Sequence, residues 1–183
     1  MRKTRILSLD LELNQPSRKI IQIGYAIGDI TTKEILKTGS VFVDPKEPLN
    51  PEIIALTGID DSMVQGVGTL QEAYAVMCAD FIAYDCFINP ITWGGGDTTL
   101  LREQLGLEGD KWIFGRRWFD VKTLAFHERI KQTGFLNVQG GLAKSMRWFD
   151  LSFKGRKHDA MDDAINTLIL YFKLLEVGVK GSS

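Results

Sequence analysis

Residues 5–14 read RILSLDLELN. Leucines at 7, 9, 11 and 13 alternate with Ser8, Asp10 and Glu12, the period-two pattern of a strand with two unlike faces. Asp10 and Glu12 then share one face, roughly 6.6 Å apart along the strand, in a segment rich in core residues. Carboxylates are seldom buried unless they are paired or bind metal, and like charges this close repel. Two readings stay open from these residues alone. The strand has one wet face on which both acids are solvated, or the acids are held for a cation.

Two more strand-like runs follow at about 19–30 and 35–43, separated by Asn14-Gln15-Pro16-Ser17 and by residues 29–33. The short connections predict an antiparallel meander. A proline-rich loop, DPKEPLNPE, leads into a short helix near 51–56. The segment from Thr69 has helical spacing, with Glu72 three residues after Thr69, a capping-box pattern. INPITW reads as a short buried strand and DTTLLREQLG as a helix capped by Asp97 and closed by Gly106. RRWFDV predicts another strand running into a helix near 121–132, followed by helices at about 138–149 and 159–177. The whole predicts an α/β fold: a three-strand antiparallel meander, extended by parallel strands into a mixed sheet, with helices on its faces.

A chain of 183 residues suits one domain, 1–183, with a core of about 5–177 and 181–183 as a disordered tail. Its formal net charge of −1 argues against a broad nucleic-acid groove held by charge alone. It leaves room for a small site in which metal ions carry the charge. Cys78 and Cys86 lie in apolar sequence and read as buried free thiols, which fits a reducing, cytoplasmic setting. The basic start MRKTR is followed by too short an apolar run for a signal peptide, and no run is long enough to span a membrane.

Only two histidines are present, His127 and His158, and a general base near neutral pH is most often a histidine. His127 lies beside Glu128 and Arg129 on a predicted helix and reads as a surface residue. His158 stands in FKGRKHDAMDDAIN, at a helix start, five residues before Asp163. With 14 Asp and two His, that spacing arises by chance only about 0.15 times in such a chain. Inside one helix the two would diverge by about 140°, so they converge only if His158 precedes the helix proper. Helical phase puts Asp163 with Ala160, Ala164, Thr167 and Tyr171, and Asp162 on the opposite side with Asn166 and Ile169. The small alanines favour Asp163 as the residue that approaches another element, and Asp162 reads as a solvated or supporting acid. Asp97, after Trp93 and three glycines, reads by itself as a helix cap.

Asp10-Leu11-Glu12, Asp97 in mid-chain and His158-x-Ala160-x-x-Asp163 near the end together resemble the DEDDh branch of the 3′–5′ exonucleases, over about residues 5–172. ALTGID, WFDVKTLAF and GLAKSM resemble further family segments, and WGGGD with GRKHDAMDDAIN resembles the KapD/Eri-type RNA-processing branch. The resemblance implies a ribonuclease-H-like fold. It also implies that Asp10, Glu12, Asp97 and Asp163 hold two Mg²⁺ or Mn²⁺ ions, with His158 as general base. The implied reaction is in-line hydrolysis that releases nucleoside 5′-monophosphates from the 3′ end of single-stranded nucleic acid, RNA favoured over DNA. The terminal nucleotide would sit by Leu11, Leu13, Thr57, Gly58, Ile59 and Trp93, although each also suits ordinary core. No membrane partner is implied, and a homodimer stays open. Asp159, directly after the histidine, departs from the neutral or basic residue often found there and places an extra anion near the phosphate. Two alternatives carry weight: a nucleic-acid-binding module of the same fold, and a phosphatase with an aspartyl nucleophile, which would leave His158 without a task.

Overall fold

The computed structural model describes residues 2–107 and 111–177; the tail expected at 181–183 lies outside them. The meander forms as the alternation predicts. Strands β1 (Arg5–Leu13), β2 (Ile20–Asp29) and β3 (Ile35–Phe42) are joined antiparallel. Two short strands, β4 (Ile91–Thr92) and β5 (Phe119–Asp120), add in parallel beyond β1, giving the order β3-β2-β1-β4-β5. Among the described residues, seven helices lie between or beyond these strands: α1 (Pro51–Thr57), α2 (Asp61–Val64), α3 (Leu70–Ala83), α4 (Asp97–Leu105), α5 (Val121–Thr133), α6 (Leu142–Arg147) and α7 (Ala160–Val177).

The two faces of β1 meet different layers. Leu7, Leu9 and Leu11 pack into one core with Met77 and Phe81 of α3 and Leu101 of α4. Ile6 belongs to a second core with Leu168 and Phe172 of α7, so Ser8, Asp10 and Glu12, on the same face as Ile6, look toward α7. The carboxyl ends of the parallel strands β1 and β4 lie at one edge, the usual place for a site in an open α/β sheet. At that edge the buried Asn14 amide donates to Glu47 and to the Pro48 carbonyl, and its oxygen accepts from the Asn50 N–H at 2.8 Å. The proline-rich loop and α1 are thereby tied to the end of β1.

Helix α7 comes unusually close to the sheet. Asp10 pairs with Gly24 on β2, and a methyl group at Gly24 would lie 1.9 Å from the Ala160 carbonyl carbon. Only a residue without a side chain lets the first turn of α7 rest there. Gly24→Ala is expected to cost about 3 kcal/mol, the upper end for overpacking because backbone rather than a side chain must yield. In a chain of this size that lowers the melting temperature by roughly 6–12 °C. An unchanged melting curve would mean that α7 does not sit this close.

Local signals held at several helix ends. Thr69 and Glu72 form the capping box, and Gly106 closes α4 in the left-handed conformation. Asp97 does not cap α4. The cap position is Gly96, with no side-chain hydrogen bond, and Asp97 is the first helical residue. The helix expected at about 138–149 is shorter, Leu142–Arg147, starting after Gly140-Gly141. Cys78 and Cys86 are free and buried. Among the described residues no helix is long and apolar enough to cross a membrane.

Candidate active site

Helix α7 is positioned by its own sequence. The Asp159 carboxylate accepts from the N–H groups of Met161 and Asp162, both at 3.1 Å, and so caps the helix. Gln22, the β2 residue paired with Glu12, is fully buried and reads the same turn. Its oxygen accepts from the Ala160 N–H at 3.0 Å and its amide donates to Asp159 at 3.2 Å. Asp159 is thus a structural anion that satisfies a helix end, which accounts for an acid at this position.

The loop before α7 is held with equal care. Asp162 accepts from the Arg156 N–H at 2.7 Å, and the Asn166 side chain both donates to and accepts from the Lys154 backbone. Gly155 has φ 76° and a methyl there would lie 2.2 Å from an Asp162 oxygen, so glycine is required on both counts. His158 then turns back with φ 62°, and its N–H donates to Asp163 at 3.2 Å. Asp162 is the supporting acid that helical phase suggested.

Glu12, His158 and Asp163 each present a ligand-type atom, all within 4.8 Å of one another. With Asp10, Leu11 and Trp93 they line a cleft of about 500 Å³. Asp97 is not part of the cleft wall, yet its charge acts on both Asp10 and Glu12. Of the proposed nucleotide contacts, Leu11 and Trp93 reach this cleft. Leu13 packs against the core beside α3 and α4. The Thr57 hydroxyl donates to Ile53 and accepts from the Ile59 N–H, Ile59 is core, and Gly58 caps α1 with the Arg156 guanidinium lying against it. His127 is on α5 and does not line the cleft. Lys144 and Arg147 of α6 join Lys157 in the cleft wall. Sequence reasoning passed over the first two, although GLAKSMR spaces them three apart on one helical face.

The acids hold protons tightly. Burial, then the charges of Asp97, Asp163, Glu12 and Asp159, keep the Asp10 carboxyl well above the ordinary range. Burial, then the charges of Asp163, Asp159 and Asp97, push Glu12 up to about 8. Burial raises Asp97 to about 7 and Asp163 to about 6, the latter despite the opposing His158 N–H bond. Crowded, desolvated carboxylates are a site short of positive charge. Oxygen donors with one imidazole suit a hard divalent cation such as Mg²⁺ or Mn²⁺, so the residues fit a metal.

These acids have pKa values raised over their unfolded values near 4, so the folded state binds more protons between about pH 4 and 8. Stability of the metal-free chain therefore falls as pH rises through about 6, 7 and 8. Melting in chelator is expected to occur at a lower temperature at pH 8 than at pH 5, and Mn²⁺ to raise it more at pH 8. Equal shifts at both pH values would speak against a metal held by these acids.

A family model described as exonuclease, RNase_T, matches residues 8–171. The chain belongs to this exonuclease family. Comparison with curated protein sequences gives no match. Among solved structures, cell-death related nuclease 4 (CRN-4) superposes on this chain with TM-score 0.81 and 18% identity, covering 96% of this chain and 65% of that one. The chain thus spans just under two thirds of that nuclease. The nuclease domain of 3′hExo, described as a DEDDh family member bound to rAMP, gives 0.79 and 18%, covering 96% and 94%. Pop2p of S. pombe, in its Mg²⁺- and Mn²⁺-bound form, gives 0.67 and 21%, covering 97% and 85%. At such identities the likeness establishes the fold, a ribonuclease-H-like mixed sheet flanked by helices.

Proposed function

We propose that this exonuclease removes nucleoside 5′-monophosphates one at a time from the 3′ end of single-stranded nucleic acid, RNA in preference to DNA. The observation that carries the reading is the convergence of Glu12, His158 and Asp163 within 4.8 Å, in a cleft that Asp10 also lines. Asp10, Glu12, Asp97 and Asp163 would hold two Mg²⁺ or Mn²⁺ ions, which supply Lewis-acid stabilisation of the phosphate charge when bound. His158 is exposed at the cleft, where it can take a proton from the attacking water. Lys144, Arg147 and Lys157 offer cations to the substrate backbone. Leu11 and Trp93 offer apolar surface to the terminal nucleotide.

RNA is favoured because Trp93-Gly94-x-x-Asp97 and the segment around His158 resemble the KapD/Eri-type branch. A 3′-exonuclease that recognises a histone mRNA stem-loop also superposes at TM-score 0.80, whereas exonuclease X, in complex with duplex DNA, gives 0.62. Two free buried thiols fit work in the reducing cytoplasm. The test is a time course on 5′-labelled RNA and DNA oligomers of matched sequence, with free or phosphate-blocked 3′ ends, in Mg²⁺, Mn²⁺ or chelator. A metal-dependent ladder from the free 3′ end, faster on RNA and releasing 5′-monophosphates, is expected. Internal fragments, or no shortening at all, would overturn the reading.

A further inference from the structure

A second cleft, of about 550 Å³, lies between α4 and the segment 112–118. Its wall contains Thr98 and Arg102 from α4, and Trp112, Arg116 and Trp118 opposite. It adjoins the active site through one turn. Trp93 lines the first cleft, and two residues on, a methyl at Gly95 would lie 3.8 Å from the Trp118 indole nitrogen. Asp120 braces this turn, accepting from the Gly94 N–H at 3.1 Å while it also caps α5.

We infer that this second cleft binds the single strand upstream of the scissile phosphate, with Trp118 stacking a base and Arg116 and Arg102 meeting phosphates. The inference rests on the proposed exonuclease reading. Two observations point to a nucleotide. First, the cleft pairs indoles with guanidinium groups, the combination that holds single strands without sequence choice. Trp112 has one face stacked on Tyr74 at 5.8 Å, which fixes the ring in place. Second, the cleft is continuous with the start of α4, whose Thr98 and Thr99 line it, so a strand leaving the active site past the Gly95 turn enters it directly. Glu103 also lines the wall, so among its described residues two arginines stand against one glutamate.

The test compares a 12-mer oligoribonucleotide with the p-nitrophenyl ester of thymidine 5′-monophosphate, which has no upstream strand. The variants are Trp118→Ala, Arg116→Ala and, as a ring-preserving control, Trp118→Phe. Affinity for the fluorescent 12-mer is read by anisotropy in chelator, and turnover of both substrates in Mn²⁺. For the two alanine variants the 12-mer is expected to bind at least fivefold more weakly while ester turnover changes less than twofold; Trp118→Phe recovers most of the binding. Arg116→Ala should also make the salt dependence of log affinity shallower by about 0.7. Unchanged 12-mer affinity would overturn the inference. So would a parallel loss on the ester, which would mean that the Gly95 turn had been disturbed. If the unaltered chain turns over neither substrate, the exonuclease reading falls and the anisotropy data still decide the cleft.

Discussion

Replacing Asp10 by Asn is expected to lower metal-dependent release of nucleotides by about 10³-fold or more and, at pH 8, to raise the melting temperature of the metal-free chain. Both effects come from one carboxylate. Asp10 sits in the middle of β1 opposite Gly24, with the first turn of α7 packed directly over that pair. Its charge is opposed by burial and by Asp97, Asp163, Glu12 and Asp159. An amide of the same shape removes that repulsion. The gain is of order 1 kcal/mol or more, some 2–4 °C for a chain of this length. The amide also removes an anionic ligand, and each 1.36 kcal/mol of lost transition-state stabilisation costs tenfold in rate. Three such steps suffice for the expected loss. Opposite signs for activity and stability mark a residue kept for chemistry at the expense of the fold. Turnover retained within tenfold, or a lower melting temperature in chelator, would remove Asp10 from the site.

The second large effect is at His158. As general base its loss should reduce kcat by 10²–10⁴-fold. Because its imidazole lies within 4.8 Å of Glu12 and Asp163, a ligand role is the competing account. The two separate on metal affinity, measured by Mn²⁺ calorimetry on His158→Asn and Glu12→Gln. Asn tolerates the left-handed backbone at this position, φ 62°, so the variant tests the ring without straining the loop. A base leaves Mn²⁺ affinity within about threefold in His158→Asn while turnover collapses. An affinity loss equal to that of Glu12→Gln would make His158 a ligand and leave the proton without an acceptor.

Much of this was legible in the chain. Alternation in residues 5–14 gave β1 and the shared face of Asp10 and Glu12. Thr69 and Glu72 marked the start of α3, and Gly106 the end of α4. Helical phase alone separated Asp163 from Asp162. Each of these signals is local, decided within one or two turns or a few strand residues. What escaped depends on tertiary contact. Asp97 looked like a cap because Asp caps are common, but the glycine turn 94–96 lets the helix begin one residue earlier, and glycine spacing does not fix that point. Asp159 looked like a hindrance because its partners, Gln22 on β2 and the α7 amides, meet only in the folded chain. Lys144 and Arg147 needed α6 docked beside α7 before they could be seen to face the cleft.

The brace between Gln22 and the first turn of α7 spans 138 positions of sequence. The hairpin that carries Asp10, Glu12 and Gln22 closes among near neighbours, whereas His158 comes from the loop before α7 and Asp163 from its first turn. On a ribosome, a growing chain would expose its acidic strand well before the residues that complete the centre have been synthesised. A centre assembled this way has no partial version: the acids of the hairpin gain their partners only when residues 158–163 have docked against it.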